Sequence, residues 1–533
     1  MTATPARYRV LVADAISLDG LAPLRDDPRF ELVNKPGLKG DDLADAIADA
    51  DAVLVRSATR ITRESLARAD KLKAIGRAGV GVDTIDVDAA TERGIPVLTA
   101  PEGNTISAAE LTMALLLALA RKVPGADRSM KAGEWDKKSF TGTELHGKTL
   151  GLIGAGRIGG EVARRARGFA MRVLVHDPFL NAERARMLDV ETATIDEVIE
   201  QSNVISAHVP LTDATRNLIG EAQIARMKKG VLVLNVARGG VVDEAALIAA
   251  LKSGHVAGAA LDVFEVEPLP ADHPFRTMPN VVLTPHLGAS TSEAQHSVAI
   301  EIASAVRAAL ADGDLSRAVN APSLGGLDAQ RARPILDLSQ RLGTLGAGVA
   351  GGPLRSMEIR YSGSQQGGLR VITAAAVAGA LTHVSGGSVN VVNATRLAQS
   401  RGIRVSQMQQ ESPVPYTEVV EIRVASDAGT ARVAGALLGD THERIVQVDD
   451  YTVSVTPRGT LLVLRNADSP QVIGLVGATL AKAGHFVDEY QQARRDSGGD
   501  ALSLIRIDRP ATDEVLKELR GVTDVRQVQQ VNL

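Results

Sequence analysis

At 533 residues the chain is too long for one hydrophobic core, and with 45% apolar and 23% charged residues it has the composition of a globular protein of about three or four domains. A formal net charge of −4 offers no basic excess for a phosphate backbone, so nucleic acid is not expected as a partner. The absence of cysteine excludes disulfides, Cys-ligated zinc, iron–sulfur clusters and thiolate catalysis, leaving His, Arg and carboxylates to carry any chemistry; no metal is expected.

The N-terminus, MTATPARYRVLVAD, enters a strand pattern without an apolar signal-peptide core. The longest apolar stretch, Met113 to Ala120, is too short to span a bilayer, so a cytoplasmic protein without membrane contact is expected. From Tyr8 to Ala100, β-rich runs (RVLVAD, FELVNK, AVLVRS, LKAIGRAG, IPVLTA) alternate with helix-like stretches, which predicts a doubly wound parallel sheet. One long helix is predicted from Ser107 to Lys131. A second alternating series follows: TLGLIG, RVLVHD, NVISAHV, VLVLNVAR, AALDVF and NVVLTP.

After Pro285 the helical pattern SEAQHSVAIEIASAVRAALADG has no strand partner nearby and is expected to return to the first unit, ending at the turn-rich stretch Val319 to Gly326. Beyond lies a Gly-rich segment to about Pro457, where EVVEIRVAS, TARVAGALL and ERIVQVDDYTVSV read as strands after a helical half. The remainder reads strand TLLVLRNA, helix QVIGLVGATLAKAG, strand FVDEYQQA, turn DSGGD, strand ALSLIRID, helix TDEVLKELRG, strand VRQVQQVN. That order is βαββαβ, a ferredoxin-like module.

The strand TLGLIG runs into Gly154-Ala155-Gly156-Arg157-Ile158-Gly159 and then a helix, and the next strand, RVLVHD, ends at Asp177. This is the context a dinucleotide-binding motif needs. Gly154 permits the tight turn, Gly156 lets the backbone approach a pyrophosphate, Gly159 lets helix and strand pack closely, and helix N-terminal amides meet the anion. Asp177 suits a ribose hydroxyl and would repel a 2′-phosphate, which favours NAD over NADP.

Three later strand ends carry unusual polar residues: NVARGG at Asn235–Gly240, DVFEVEP at Asp262–Pro268 and TPHLG at Thr284–Gly288. In a doubly wound sheet such ends line one crevice. Oxidising a secondary alcohol with NAD requires a near-neutral base for the hydroxyl proton, and His286 fits that task. Glu267 would stabilise its imidazolium and fix its tautomer. Arg238 offers a two-pronged fork to a substrate carboxylate, and Asp262 is placed to accept a hydrogen bond from the nicotinamide carboxamide.

The motifs LIGAGRIGGEVARRA, NVARGGVVDEAAL, LDVFEVEP and TPHLGAST resemble the signatures of the D-isomer-specific 2-hydroxyacid dehydrogenases, and with RAGVGVDTIDVDAA and NTISAAELTMALLLALAR the resemblance covers essentially the whole chain. It implies a Rossmann-type NAD domain (106–290) inserted in a flavodoxin-like substrate domain (1–105 and 291–319), then an α+β intervening domain (320–457) and a βαββαβ ACT regulatory domain (458–533). His286 and Glu267 would form the acid–base pair and Arg238 would bind substrate. Pro210, Ala237 and Gly288 complete the expected cofactor contacts, and Arg56, Ser57, Gly79, Gly81 and Asn104 the substrate contacts. Lys137, taken as helix-terminal, would reach a neighbouring subunit's substrate phosphate, in a homodimer or homotetramer. Trp135, the one tryptophan, is expected at the interface.

The implied reaction is NAD-dependent oxidation of 3-phosphoglycerate to 3-phosphohydroxypyruvate, first step of a phosphorylated L-serine route. A glyoxylate, hydroxypyruvate or other D-2-hydroxyacid reductase is the alternative, although it has no need of the C-terminal extension. Formate dehydrogenase fits less well, because Glu rather than Gln precedes Pro268. A non-enzymatic NAD-sensing corepressor would need an exposed peptide-binding surface and no ACT module. The family's ACT module opens with His-x-x-Asp-x-Pro-Gly, and this chain reads Arg465-Asn466-Ala467-Asp468-Ser469-Pro470-Gln471, with Phe486 after Gly484-His485 where the family has Asn. Gln tolerates a glycine backbone poorly and Phe cannot bind an amino acid's polar groups, so assembly rather than serine binding is expected of the module.

Overall fold

The computed structural model describes residues 7–324, 329–363, 367–384, 389–410, 416, 418–439, 441–494 and 499–533. The expected turn at Asp496 and the end of the stretch Val319–Gly326 lie in part outside these residues.

The first sheet has five parallel strands in the order Phe30–Asn34, Tyr8–Val12, Ala52–Val55, Ala74–Arg77, Val97–Thr99. Its central strands are short apolar runs buried on both faces, as a parallel sheet flanked by helices requires. The distant helix Ser292–Asp312 closes one face, burying Val298, Ile302 and Val306 against Val10, Val12 and Leu54. It starts where Thr291 caps the Ala294 N–H at 3.1 Å and stops at Gly313 with φ +72°.

The second sheet is also parallel, with seven strands in the order Val281–Leu283, Val256–Leu261, Val231–Asn235, Val204–Ala207, Thr149–Ile153, Arg172–His176, Glu191–Thr192. Strand order reverses between Thr149–Ile153 and Val204–Ala207. Ligands of doubly wound sheets bind at such a switch point, outside the carboxyl ends of the strands.

The helix predicted from Ser107 to Lys131 is in fact two, Thr105–Ala120 and Val123–Lys131. Lys122 breaks it with φ +53°, and Pro124, which cannot donate a hydrogen bond back into the first helix, starts the second. Lys137 is therefore not helix-terminal. The second helix ends at Lys131, ahead of Gly133 at φ +86°, and Lys137 lies in the exposed loop beyond.

In the C-terminal half a six-stranded mixed sheet runs Arg404–Gln409, Leu354–Ser362, Glu418–Ser426, Thr430–Leu438, His442–Val448, Tyr451–Val455. Helices Ala329–Ala350 and Leu369–Val384 accompany it. Two strands fall in what the sequence suggests is a helical half. Leu354–Ser362 has the period-2 signal, since Met357, Ile359 and Tyr361 are all buried. The run ERIVQVDDYTVSV is a hairpin rather than one strand, turning at Asp449 with φ +51°.

The last module is the expected βαββαβ unit, with antiparallel order Val487–Arg494, Asp500–Ile507, Thr460–Ala467, Val525–Asn532. Its strand Thr460–Ala467 is buried on both faces. Leu462 and Leu464 pack under helices Pro470–Lys482 and Asp513–Arg520, while Leu461 and Val463 join Leu338, Leu342 and Leu345 of helix Ala329–Ala350. Gln529 of the last strand donates to the Gly348 and Val349 carbonyls at 3.1 and 2.8 Å, satisfying the end of that helix. Arg465 forms an ion pair with Asp449 across the same junction. The C-terminal half also touches the first sheet's unit, through Asn390 Nδ2 to Gly94 O at 2.7 Å and Arg396 to Asp88 at 2.7 Å. Among the described residues no helix is long and apolar enough to cross a membrane.

Candidate active site

Between the two parallel sheets lies a cavity of ≈ 500 Å³ bordered by strand-end loops of both. On one side is the turn Gly154–Gly159. Gly154 has φ +92°, and a β-carbon there would lie 2.6 Å from the His208 carbonyl oxygen; one on Gly159 would lie 2.2 Å from Gly154 O. Neither position accepts a side chain. Gly156 is different: its β-carbon would meet nothing within 4 Å, so the glycine keeps open the space ahead of helix Arg157–Gly168. Asp177 Oδ2 accepts the Ala155 N–H and Oδ1 the Phe179 N–H, both at 2.8 Å, which fixes its carboxylate beside the turn. Arg157, Ile158, Pro210 and Ala237 border the same cavity. An open glycine cradle, a helix N-terminus and an adjacent fixed carboxylate fit NAD.

His208, also on the cavity wall, is a residue that the sequence motifs do not single out. Burial pushes its imidazole down to about 4, so it is neutral, and its Nε2 meets Ser206 Oγ at 2.9 Å.

Across the cavity, His286 adopts φ +55° and its Nδ1 stands 2.8 Å from Glu267 Oε2. Glu267 Oε1 accepts the Phe264 N–H at 3.1 Å. Burial alone would raise the Glu267 carboxyl, but the His286 hydrogen bond and the charges of His286 and Arg238 outweigh it and hold the group below the usual range. With an ionised Glu267 as acceptor, Nδ1 carries the ring proton and Nε2 is left as the basic nitrogen.

The left-handed turn at His286 is held by Asp262, which is fully buried. Its Oδ1 accepts from Thr284 Oγ1 and Leu287 N at 2.6 and 2.7 Å, and its Oδ2 from Gly288 N at 2.9 Å. Burial nevertheless pushes this carboxyl up. Asp262 thus shapes the histidine loop from beneath the cavity wall.

Three guanidinium groups complete the wall: Arg238, Arg56 and Arg77. Asp14 shapes the Arg56–Ser57 loop by accepting Arg56 N at 2.5 Å and Thr59 Oγ1 at 2.6 Å. Arg238 Nε lies 3.4 Å from Asp83. Arg77 is absent from the sequence-based site, where it reads as the end of a strand. Burial, and then repulsion from Arg238 among its neighbours, push it down to about 10, and its Nε is buried without a hydrogen-bond partner among the described residues.

Gly79 and Gly81 make this cluster possible. β-Carbons there would lie 1.5 Å from Arg77 Nη1 and 2.1 Å from Arg238 Nη2. Asn104 borders the cavity too, with its Oδ1 buried and without a partner among the described residues. Lys137 does not join its own chain's cavity; its ammonium sits 5.8 Å from the ring centroid of Trp135, which is 75% exposed.

Residues 113–288 match the NAD binding domain of the D-isomer specific 2-hydroxyacid dehydrogenases, and residues 331–449 match the D-3-phosphoglycerate dehydrogenase intervening domain. The chain is 40% identical to the D-3-phosphoglycerate dehydrogenase of Bacillus subtilis over 527 residues, covering 99% of this chain and 100% of that one. It is 40% identical to the enzyme of the same name from Methanocaldococcus jannaschii, covering 98% of this chain and 100% of the relative. A crystal structure of a glyoxylate reductase from Paecilomyes thermophila matches with a TM-score of 0.54 and 32% identity, but covers 59% of this chain and 99% of that one. With a dinucleotide cradle, a His–carboxylate pair and an arginine cluster around one cavity, and kinship along its full length, the chain belongs to the D-isomer-specific 2-hydroxyacid dehydrogenases, NAD-binding enzymes.

Proposed function

We propose that the chain oxidises D-3-phosphoglycerate to 3-phosphohydroxypyruvate with NAD, the first step of a phosphorylated route to L-serine. The observation that carries this reading is the convergence of Arg56, Arg77 and Arg238 on a cavity that also holds His286 and Glu267. Three cations sharing one wall repel each other, and Arg77, pushed down first by burial, is pushed down further by Arg238 and Arg56. A substrate with two anionic ends relieves that repulsion, whereas a simple hydroxy acid brings one carboxylate. The full-length kinship to enzymes named D-3-phosphoglycerate dehydrogenase supports the same substrate.

The substrate carboxylate docks on the Arg238 fork beside the reacting carbon, and the phosphate lies against Arg56 and Arg77. NAD, when bound, accepts the hydride from C2. His286 Nε2 takes the C2 hydroxyl proton as the carbonyl forms, and Glu267 offsets the charge of the imidazolium. Asp262 and Asn104 offer acceptors to amide or hydroxyl donors of the bound pair. Lys137, remote from its own cavity, serves a neighbouring copy's phosphate in a homodimer or homotetramer, with exposed Trp135 at the contact.

The test is NADH formation from D-3-phosphoglycerate against D-glycerate, D-lactate and, in reverse, glyoxylate. A kcat/KM at least about a hundredfold higher for the phosphorylated acid is expected, the worth of one or two charge-assisted contacts. Equal use of D-glycerate removes the phosphate reading, and preferential glyoxylate reduction establishes the reductase instead.

A further inference from the structure

The loop that carries Glu267 is gripped by residues that do not border the cavity. Glu244, the first residue of helix Glu244–Ser253, accepts the Glu265 backbone N–H on Oε1 at 2.8 Å, and Glu265 Oε1 faces the Glu244 N–H at 3.4 Å. The second oxygen, Glu244 Oε2, meets His273 Nε2 at 3.2 Å. His273 Nδ1 accepts the Phe275 N–H at 3.4 Å, which leaves the ring proton on Nε2 and makes it the donor to Glu244 even when the imidazole is neutral. The His273 ring packs on Phe275 at 4.9 Å between centroids, and Phe275 is 1% exposed in the core.

Both side chains are largely covered, with 14% of Glu244 and 18% of His273 exposed. Burial, with the Glu265 charge adding to it, pushes the Glu244 carboxyl up. Keeping a covered carboxylate costs free energy unless its partners are held in exchange. Neither residue borders the cavity, so neither takes part in the chemistry directly. What Glu244 does hold is the backbone of Glu265, next to Phe264, whose N–H in turn holds Glu267.

We propose that Glu244 and His273 are positioning residues: a clasp that sets the Phe264–Glu267 loop so that Glu267 meets His286. The clasp runs from core to reacting group through Phe275, His273, Glu244, the Glu265 amide, the Phe264 amide and Glu267. Gly239 lets its own backbone pack directly on the loop, since a β-carbon there would lie 1.8 Å from Phe264 O. The loop backbone is thus held by both Gly239 and Glu244.

This inference rests on the dehydrogenase reading above, and its test uses the full chain with any 2-hydroxy acid it oxidises. Glu244→Gln presents an amide N–H to the His273 N–H or loses its acceptor to Glu265, so one half of the clasp opens. It and His273→Leu should each lower kcat about tenfold or more, with the KM for NAD unchanged, as loss of alignment at the reacting atoms does. The acidic limb of the pH profile should move in the same direction as in Glu267→Gln. His273→Gln, whose side-chain amide still donates, should restore most of kcat.

Added to Glu267→Gln, Glu244→Gln should cost less than about a further twofold, because coupled residues do not act additively. Full multiplicative loss in that background, or an unchanged kcat in the single variants, overturns the clasp. Failure of 3-phosphoglycerate alone leaves this test intact. If no substrate turns over, amide exchange of the 264–267 segment decides, faster exchange in Glu244→Gln supporting the clasp and equal exchange refuting it.

Discussion

Gly81 clears the volume that the Arg238 guanidinium occupies: a β-carbon on residue 81 would lie 2.1 Å from Arg238 Nη2 and 2.6 Å from Asp83 Oδ2. Both atoms are the far ends of flexible side chains, so Gly81→Ala displaces Arg238 rather than the fold. The expected result is a fall of about a hundredfold in kcat/KM for the hydroxy acid, as a misplaced positioning group produces. Stability should change by less than about 1 kcal/mol. Steady-state kinetics beside thermal melts and NADH fluorescence titration check the pair, and a large loss of stability would refute it.

Arg77→Met should separate stability from function. The arginine is mostly buried and repelled by Arg238, and its Nε has no partner among the described residues, so a similar-sized apolar chain removes a cost as well as a contact. The melting temperature of the ligand-free variant is expected not to fall. The KM for D-3-phosphoglycerate should rise between about tenfold and a hundredfold, the loss of a charge-assisted hydrogen bond. The KM for an unphosphorylated acid should move far less, and an equal rise for both would take Arg77 off the phosphate.

Glu267→Gln should alter two pH dependences. Because the folded Glu267 is held below the ordinary carboxyl value of 4.5, its contribution to stability is present above that value and is lost as pH falls through the lower folded one. The variant should therefore lose less stability on acidification below about pH 4.5 than the unmodified chain. In turnover, the missing carboxylate makes the imidazolium less favourable, so the acidic limb of kcat/KM for oxidation moves to lower pH while kcat falls. Parallel urea titrations and rate profiles measure both, and an unmoved limb removes Glu267 from the pair.

Asp177→Asn tests cofactor choice. The carboxylate is fixed by the Ala155 and Phe179 amides and would repel a 2′-phosphate. Discrimination between NAD and NADP, as a ratio of kcat/KM values, should narrow by about tenfold or more when the charge is removed. An unaltered ratio would show that other groups set the preference.

Most of the glycine turn was legible in the sequence, because such a turn is local: Gly154, Gly156, Gly159 and Asp177 sit within one strand–turn–helix–strand run with the spacing of a dinucleotide-binding motif. The meeting of His286 with Glu267 was legible for a similar reason, as two strand ends of one sheet. Arg77 was not, since its place in the cavity wall depends on the first sheet facing the second, and AIGR alone describes only a strand. His208 is likewise defined by burial, which one sequence does not display. The break at Lys122 had a visible cause in Pro124, but the apolar run before it, Met113 to Ala120, argued for continuation. Arg465, which departs from the family's regulatory pattern, finds a structural use in its ion pair with Asp449.

The double-sided strand Thr460–Ala467 has a mechanical corollary. Leu461 and Val463 are as much a part of the layer under helix Ala329–Ala350 as Leu462 and Leu464 are of the layer on the far side. Close-packed interiors compress little, so a displacement of the terminal sheet must be handed on to that helix undiminished. Severing the chain at Arg458 would free no independent part; it would strip the apolar underside of one half and the apolar roof of the other. The two C-terminal modules, distinct in strand order, should therefore melt together as one cooperative body.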